Sequence, residues 1–282
     1  MSNPTSQGQS DAQFDAASSI PGHNNMAAQP VHKAVHLLKK VPEITIFFWI
    51  IKLLTTAMGE TTSDYMVNHI DPVIAVAIGA FGLCIALVLQ LVVRRYIPAV
   101  YWFAVVMVAI FGTMAADVLH IGLGIPYLTS TIFFAVALAV IFGAWYATEK
   151  TLAIHSIYTL RRELFYWMTI ITTFALGTAL GDMTATTLHL GYLTSGLLFI
   201  VLFALPGLAC WLLGLNEILA FWFAYIMTRP LGASFADWMG KPRDAGGIGF
   251  GTGTISLVLT VLIIALVAYM TITHKDIDRK QV

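Results

Sequence analysis

Apolar stretches of roughly twenty residues recur along this chain, each long enough to cross about 30 Å of hydrocarbon as a helix, and no other feature limits the fold as much. We read eight of them, at about residues 44–67, 72–93, 98–119, 127–147, 164–186, 192–213, 216–236 and 250–271. In lipid a helix satisfies its own backbone hydrogen bonds, so the predicted class is all-α integral membrane. With 58% hydrophobic and 11% charged residues, the 282-residue chain is excluded from ordinary water-soluble domains. The 15 basic residues balance the 15 acidic ones, which gives no sign of nucleic-acid binding. The expected partners are the lipid bilayer and a small cation or proton, and such a bundle is compatible with a homo-oligomer. Cys84 and Cys210 both lie inside apolar runs and read as packing residues, with no thiolate metal spacing.

The ends differ in kind from this middle. Residues 1–30 are polar and aperiodic and are expected to form a disordered tail, while Val31–Val41 could lie on the membrane surface as a short amphipathic helix. We therefore divide the chain into an N-terminal tail, 1–40, a transmembrane domain, 41–272, and a C-terminal tail, 273–282. No signal peptide opens the sequence, so the chain is expected to enter the membrane through its first span. Lys33, Lys39, Lys40, Arg94, Arg95, Lys150, Arg161, Arg162, Lys275, Arg279 and Lys280 fall on one side of an eight-span arrangement, against Lys241 and Arg243 on the other. Positive loops are held inside, so both termini are expected in the cytoplasm.

Within the spans a pattern repeats without gaps. Trp, nine residues, Gly, four residues and Asp recur as Trp49/Gly59/Asp64, Trp102/Gly112/Asp117, Trp167/Gly177/Asp182 and Trp222/Gly232/Asp237. For one Trp, chance would place both followers correctly on the order of once in a few hundred, so four copies define a tandem repeat. Each copy falls on an odd-numbered span followed by an even one. This predicts four tandem helical hairpins, at about 43–95, 96–150, 161–214 and 215–272, with pseudo-symmetry about the membrane normal and the odd helices at the centre. Copies 2 and 3 also share Tyr-Leu-Thr-Ser at Tyr127–Ser130 and Tyr192–Ser195.

With these residues in place, the chain resembles a family of bacterial membrane proteins built from four copies of a repeat, each with two spans and a characteristic tryptophan. The resemblance covers about residues 43–272. It implies this architecture and a bacterial inner (cytoplasmic) membrane location. The family's repeat has no known function, so no activity is carried over.

Each repeat position has a physical reading of its own. Fifteen helical residues put about 22 Å between each Trp and its Asp, so Trp49, Trp102, Trp167 and Trp222 are expected at one interface, as anchors or packing residues, and the aspartates toward the other. Gly59, Gly112, Gly177 and Gly232 are expected to let helices approach closely. A carboxylate inside a span costs several kcal/mol unless it pairs, meets water or is protonated, so Asp64, Asp117, Asp182 and Asp237 form a candidate cation or proton relay. Glu60 joins them one turn before Asp64, and Lys52 and Arg229 are the charge partners within spans. If all five acids ionise against those two bases, three negative charges remain, and a cation or protons must answer them.

His69, His120 and His189 follow their aspartates at unequal distances. Imidazole beside carboxylate suits a first-row transition metal, so Asp117, Asp182, His120 and His189 are a candidate metal set. The residues of Gly246–Gly253 read as a flexible entry to the last span, not a phosphate cradle. No zinc-protease, paired-cysteine or serine-hydrolase motif is present. The expectation from sequence is a transporter or permease for a cation, a divalent metal such as Mn(II) or a proton-coupled cargo. The rival readings are a membrane-embedded metal-dependent enzyme and a cation channel or sensor.

Overall fold

The structure is a computed structural model, and it describes residues 40–273 and Lys275. The expected N-terminal tail with its amphipathic helix and most of the C-terminal tail lie outside the described residues. The described residues form eight long helices: α1 (Ile46–His69), α2 (Pro72–Val92), α3 (Pro98–Asp117), α4 (Tyr127–Glu149), α5 (Leu160–Asp182), α6 (Gly191–Leu213), α7 (Glu217–Gly240) and α8 (Thr252–Thr273). Local chemistry sets several of their starts. Thr45, Asp71, Thr159 and Asn216 cap α1, α2, α5 and α7 by accepting from backbone amides of the first turn, and Pro72 and Pro98 open α2 and α3 where no amide donor is needed.

Seven of these helices are long and apolar enough to cross a membrane. The exception is α1, because Lys52, Glu60 and Asp64 interrupt its hydrophobicity. All three residues point into the protein, and Lys52 and Glu60 are buried. The chain compensates for the polarity of α1 by surrounding it with other helices.

The odd-numbered helices are the inner ones. In α3, α5 and α7 between 61% and 72% of the membrane-length window is buried, against 17–22% in α2, α4, α6 and α8. The inner four form a closed ring in which α1 packs on α3, α3 on α5, α5 on α7 and α7 back on α1. The outer helices do not pair mainly with their own repeat. Instead α2 lies on α3, α4 on α5, α6 on α7, and α8 returns to α1. The hairpin expectation captured chain order, whereas the larger packing surfaces join each outer helix to the inner helix of the next repeat.

The repeat glycines make this ring possible. A methyl group on Gly59 would collide with Ala109, one on Gly112 would lie 2.8 Å from Cβ of Phe174, and one on Gly177 would collide with Arg229. A methyl on Gly232 would strike Thr56. Ala109, Phe174, Arg229 and Thr56 each stand three residues before the glycine of the next inner helix. One backbone-to-side-chain contact is thus used four times, and the fourth closes the circle.

Candidate functional site

The inner helices present layers of side chains along their common axis. At one end the aromatic residue before each repeat Trp turns inward: Phe48, Tyr101, Tyr166 and Phe221 are all buried. Phe48 meets Trp102 at 5.8 Å between ring centroids, Tyr101 meets Trp167 at 5.8 Å and Tyr166 meets Trp222 at 6.3 Å, so the rings interlock from repeat to repeat. Trp102, Trp167 and Trp222 are themselves buried, and Trp222 donates its indole N–H to the carbonyl of Leu152 at 2.9 Å. Of the two readings of these tryptophans, packing accounts for the burial: they hold a core plug together, and only Trp49 among them is partly exposed. The preceding aromatic is present in every copy and is itself part of the repeat.

Midway along the axis lies a polar layer made by the residue after three of the four repeat glycines and by Arg229, three residues before the fourth. Glu60, Thr113 and Thr178 converge on Arg229. The guanidinium Nη2 donates to the Glu60 carboxylate at 2.5 Å, to Thr178 Oγ1 at 2.8 Å and to Thr113 Oγ1, while Nη1 donates to the Thr56 carbonyl at 3.2 Å. All four inner helices are tied together at this level. Pro230 lies inside α7 and packs against Gly177 and Gly181. Arg229 takes Glu60, and not a repeat aspartate, as its ion-pair partner.

The aspartates occupy the end opposite the aromatic plug. Single carboxylate oxygens of Glu60, Asp64 and Asp237 lie within 4.8 Å of one another, a spacing that one cation could bridge. Asp117 and Asp182 are within electrostatic reach of each other and of Glu60 and Asp64. Asp237 is buried, whereas Asp64, Asp117 and Asp182 are partly exposed. A pocket of about 300 Å³ opens onto this cluster, with Asp64, Asn68, Lys241 and Gly251 among its walls.

Lys241, which the sequence presents only as a loop charge, is the base paired with Asp237 and Asp64. Its ammonium sits 3.0 Å from Asp237, 4.0 Å from Asp64 and 4.8 Å from the centre of the Tyr192 ring. Burial pulls its pKa down, but Asp237 and Asp64 more than offset that and hold it well above the ordinary lysine range. The glycine run that follows is a tightly folded loop and not the flexible entry expected. Ile248 N–H donates to the Trp238 carbonyl at 2.7 Å and Gly249 N–H to the Lys241 carbonyl at 3.0 Å, while Gly246, Gly249 and Gly251 take positive φ. This fold fixes Lys241 beside the acids.

The histidines do not join the cluster. His120 is buried, with Nδ1 3.1 Å from the Ile125 carbonyl, Nε2 3.2 Å from Ser130 Oγ and its ring against Tyr127. His189 is exposed at positive φ, and His69 stacks on Tyr65 outside the ring. Of the candidate metal set, Asp117 and Asp182 face the acidic end, and His120 and His189 serve the loops after them. Those loops begin with π-helical turns at Val118–Gly122 and Met183–Thr187, directly after Asp117 and Asp182. Among the described residues the one group of three spaced for a metal ion is all oxygen, which suits a hard divalent cation better than a histidine-loving one.

Four membrane-type repeats forming a closed helical ring with an acid-lined end define the class of protein to which the chain is to be compared. Residues 47–96, 100–151, 165–214 and 220–276 each match the family described as Repeat of Unknown Function (DUF347). The chain belongs to that family. No curated protein and no solved structure matches it.

Proposed function

We propose that the protein is a permease or transporter for a small cation, a divalent metal such as Mn(II) or a proton-coupled cargo, in the bacterial inner membrane. In this reading all eight helices span the bilayer, α1 among them because its charges face inward. The pseudo-fourfold axis runs along the membrane normal, both termini are cytoplasmic and the aspartates face outward. One observation carries the proposal. Five carboxylates share one end of the ring with two cations, Arg229 and Lys241, which leaves three negative charges to be answered by cargo or protons.

The arrangement suggests how a cargo cation would enter. It would come through the pocket beside Lys241, draw Asp64 and Asp237 away from that ammonium, and meet Glu60 behind them. The aromatic plug closes the opposite end, so a conformational change must separate the two openings, as alternating access requires. Purified protein in liposomes tests this. Uphill movement of Mn(II) driven by an imposed gradient supports a transporter, and passive conductance would make it a channel. Absence of any cation or proton flux would favour a membrane-embedded enzyme or a structural role. Elemental analysis of wild type beside Asp64→Asn and Asp117→Asn separates metal cargo from protons alone, since equal metal content in all three removes the metal.

A further inference from the structure

Between the acidic end and the aromatic plug lies a charged group with neither a hydrogen bond nor an ion pair among the described residues. Lys52 Nζ has no hydrogen-bond partner and the residue is 1% exposed. It rests 3.8 Å from the centre of the Phe174 ring and 4.3 Å from that of Tyr225. Its nearest charged neighbour carries the same sign: the Arg229 guanidinium stands 5.5 Å from the same Phe174 ring. An ammonium offers three donors, and a bundle needing only packing here would do better with an apolar side chain of similar length. An ionisable group kept in a span at that cost points to a charge pathway.

On the side of Lys52 away from the aspartates stand three buried tyrosines. The hydroxyls of Tyr101 and Tyr166 are 2.5 Å apart. Tyr225 neighbours Tyr166, but its hydroxyl has no completed hydrogen bond. An amine that can gain and lose a proton is therefore followed by hydroxyls that can each accept one and donate another. On the opposite side the Arg229–Glu60 pair intervenes, and a guanidinium does not release a proton.

We infer that Lys52, Tyr225, Tyr166 and Tyr101 form a proton path from the acidic site toward the far end of the ring, with Lys52 as the carrier and the Arg229–Glu60 pair as the closed gate. The inference rests on the permease reading and adds to it the coupled ion and its route. When the pair opens, the Lys52 ammonium gives up one proton, and the amine left behind takes another from the Glu60 side. The proton it gives up goes to Tyr225 Oη as Tyr225 passes its own hydroxyl proton to Tyr166, Tyr166 passes its own to Tyr101, and Tyr101 releases its own to water at the far end of the ring. Only N–H and O–H bonds form and break, and rotation of the hydroxyls resets the row. The titratable groups that the neighbouring helices bring to α1 are Arg229, Tyr225 and Asp237 from α7 with Lys241 just past its end, Tyr101 and Asp117 from α3, and the exposed Tyr269 of α8.

The test uses the full chain in liposomes enclosing a pH-sensitive dye, with an imposed pH gradient, with and without Mn(II). Wild type should move protons, and Lys52→Arg and Tyr166→Phe should each lower that movement roughly ten-fold or more. Arginine keeps the charge and most of the packing but cannot give up the proton, so a merely structural Lys52 would tolerate it. Proton movement at the wild-type rate in either variant overturns the path. Should Lys52→Arg fail to fold, as judged by size-exclusion and thermal midpoint, Tyr166→Phe carries the test by removing a single oxygen. Wild type that moves Mn(II) without protons overturns this inference and leaves the permease reading standing. Protons without Mn(II) do the reverse for the metal cargo, and movement of neither overturns both.

Discussion

At the level of single residues, two buried cations live in opposite circumstances. Arg229 is held by four oxygens from three other helices, so removing its one carboxylate strands a guanidinium in the interior. Glu60→Gln should cost about 3–5 kcal/mol, read as a lower thermal midpoint in detergent. Lys52 has no such partners, and Lys52→Met should leave the midpoint unchanged or raise it even as proton movement falls. Lys241 neutralises part of the acidic end, so Lys241→Gln should tighten Mn(II) binding roughly ten-fold in a titration of purified protein. Its raised pKa fixes the sign of any pH effect. The pairing with Asp237 is complete at and below neutral pH as far as Lys241 is concerned, and is lost only when strongly alkaline solution removes the proton. The sequence announced Glu60, Arg229 and the four aspartates because charge inside an apolar run needs an explanation. It did not announce Lys241, which sits just past the end of α7 and reaches the acids only through the fold of the glycine loop.

Among the helices, the repeat glycines set how closely neighbours approach. Gly177→Ala would drive a methyl into Arg229 and Pro230 Cδ and should destabilise by about 1–3 kcal/mol, whereas Gly143→Ala and Gly207→Ala, which meet open space, should stay within about 0.5 kcal/mol of wild type. Thermal midpoints of the three variants decide it. The inner faces were readable because Trp, Gly and Asp recur at helical spacing in all four copies. The outer helices α2, α4, α6 and α8 carry apolar residues all round and no such marker, so periodicity could locate them without saying which inner helix each would cover. The repeat tryptophans fit an interfacial anchor or a packing role equally by position, since indoles often lie at the interface. The aromatic residue beside Trp102, Trp167 and Trp222 supplies a neighbour that packs each of them into the core.

Across the whole molecule, the beginning and end of the helical ring meet. The ring of Phe47 in α1 lies 5.8 Å from that of Tyr269 in α8, tilted against it, and Lys275 lies over Phe47 at 5.5 Å. A circular permutant that joins these ends and opens the exposed Arg94–Arg95 turn should therefore fold, with a thermal midpoint within several degrees of wild type. Removing α8 should instead leave α1, the one long helix not apolar enough by itself to cross a membrane, bare to lipid, and the shortened chain should aggregate on size-exclusion. The circular packing of Gly59, Gly112, Gly177 and Gly232 also settles how many units the architecture can take. A stack of identical modules can grow by one at either edge, but a circle has no edge. A fifth unit would find every seat filled, and a polypeptide carrying two would be half a circle, able to complete itself only by meeting its twin head to tail.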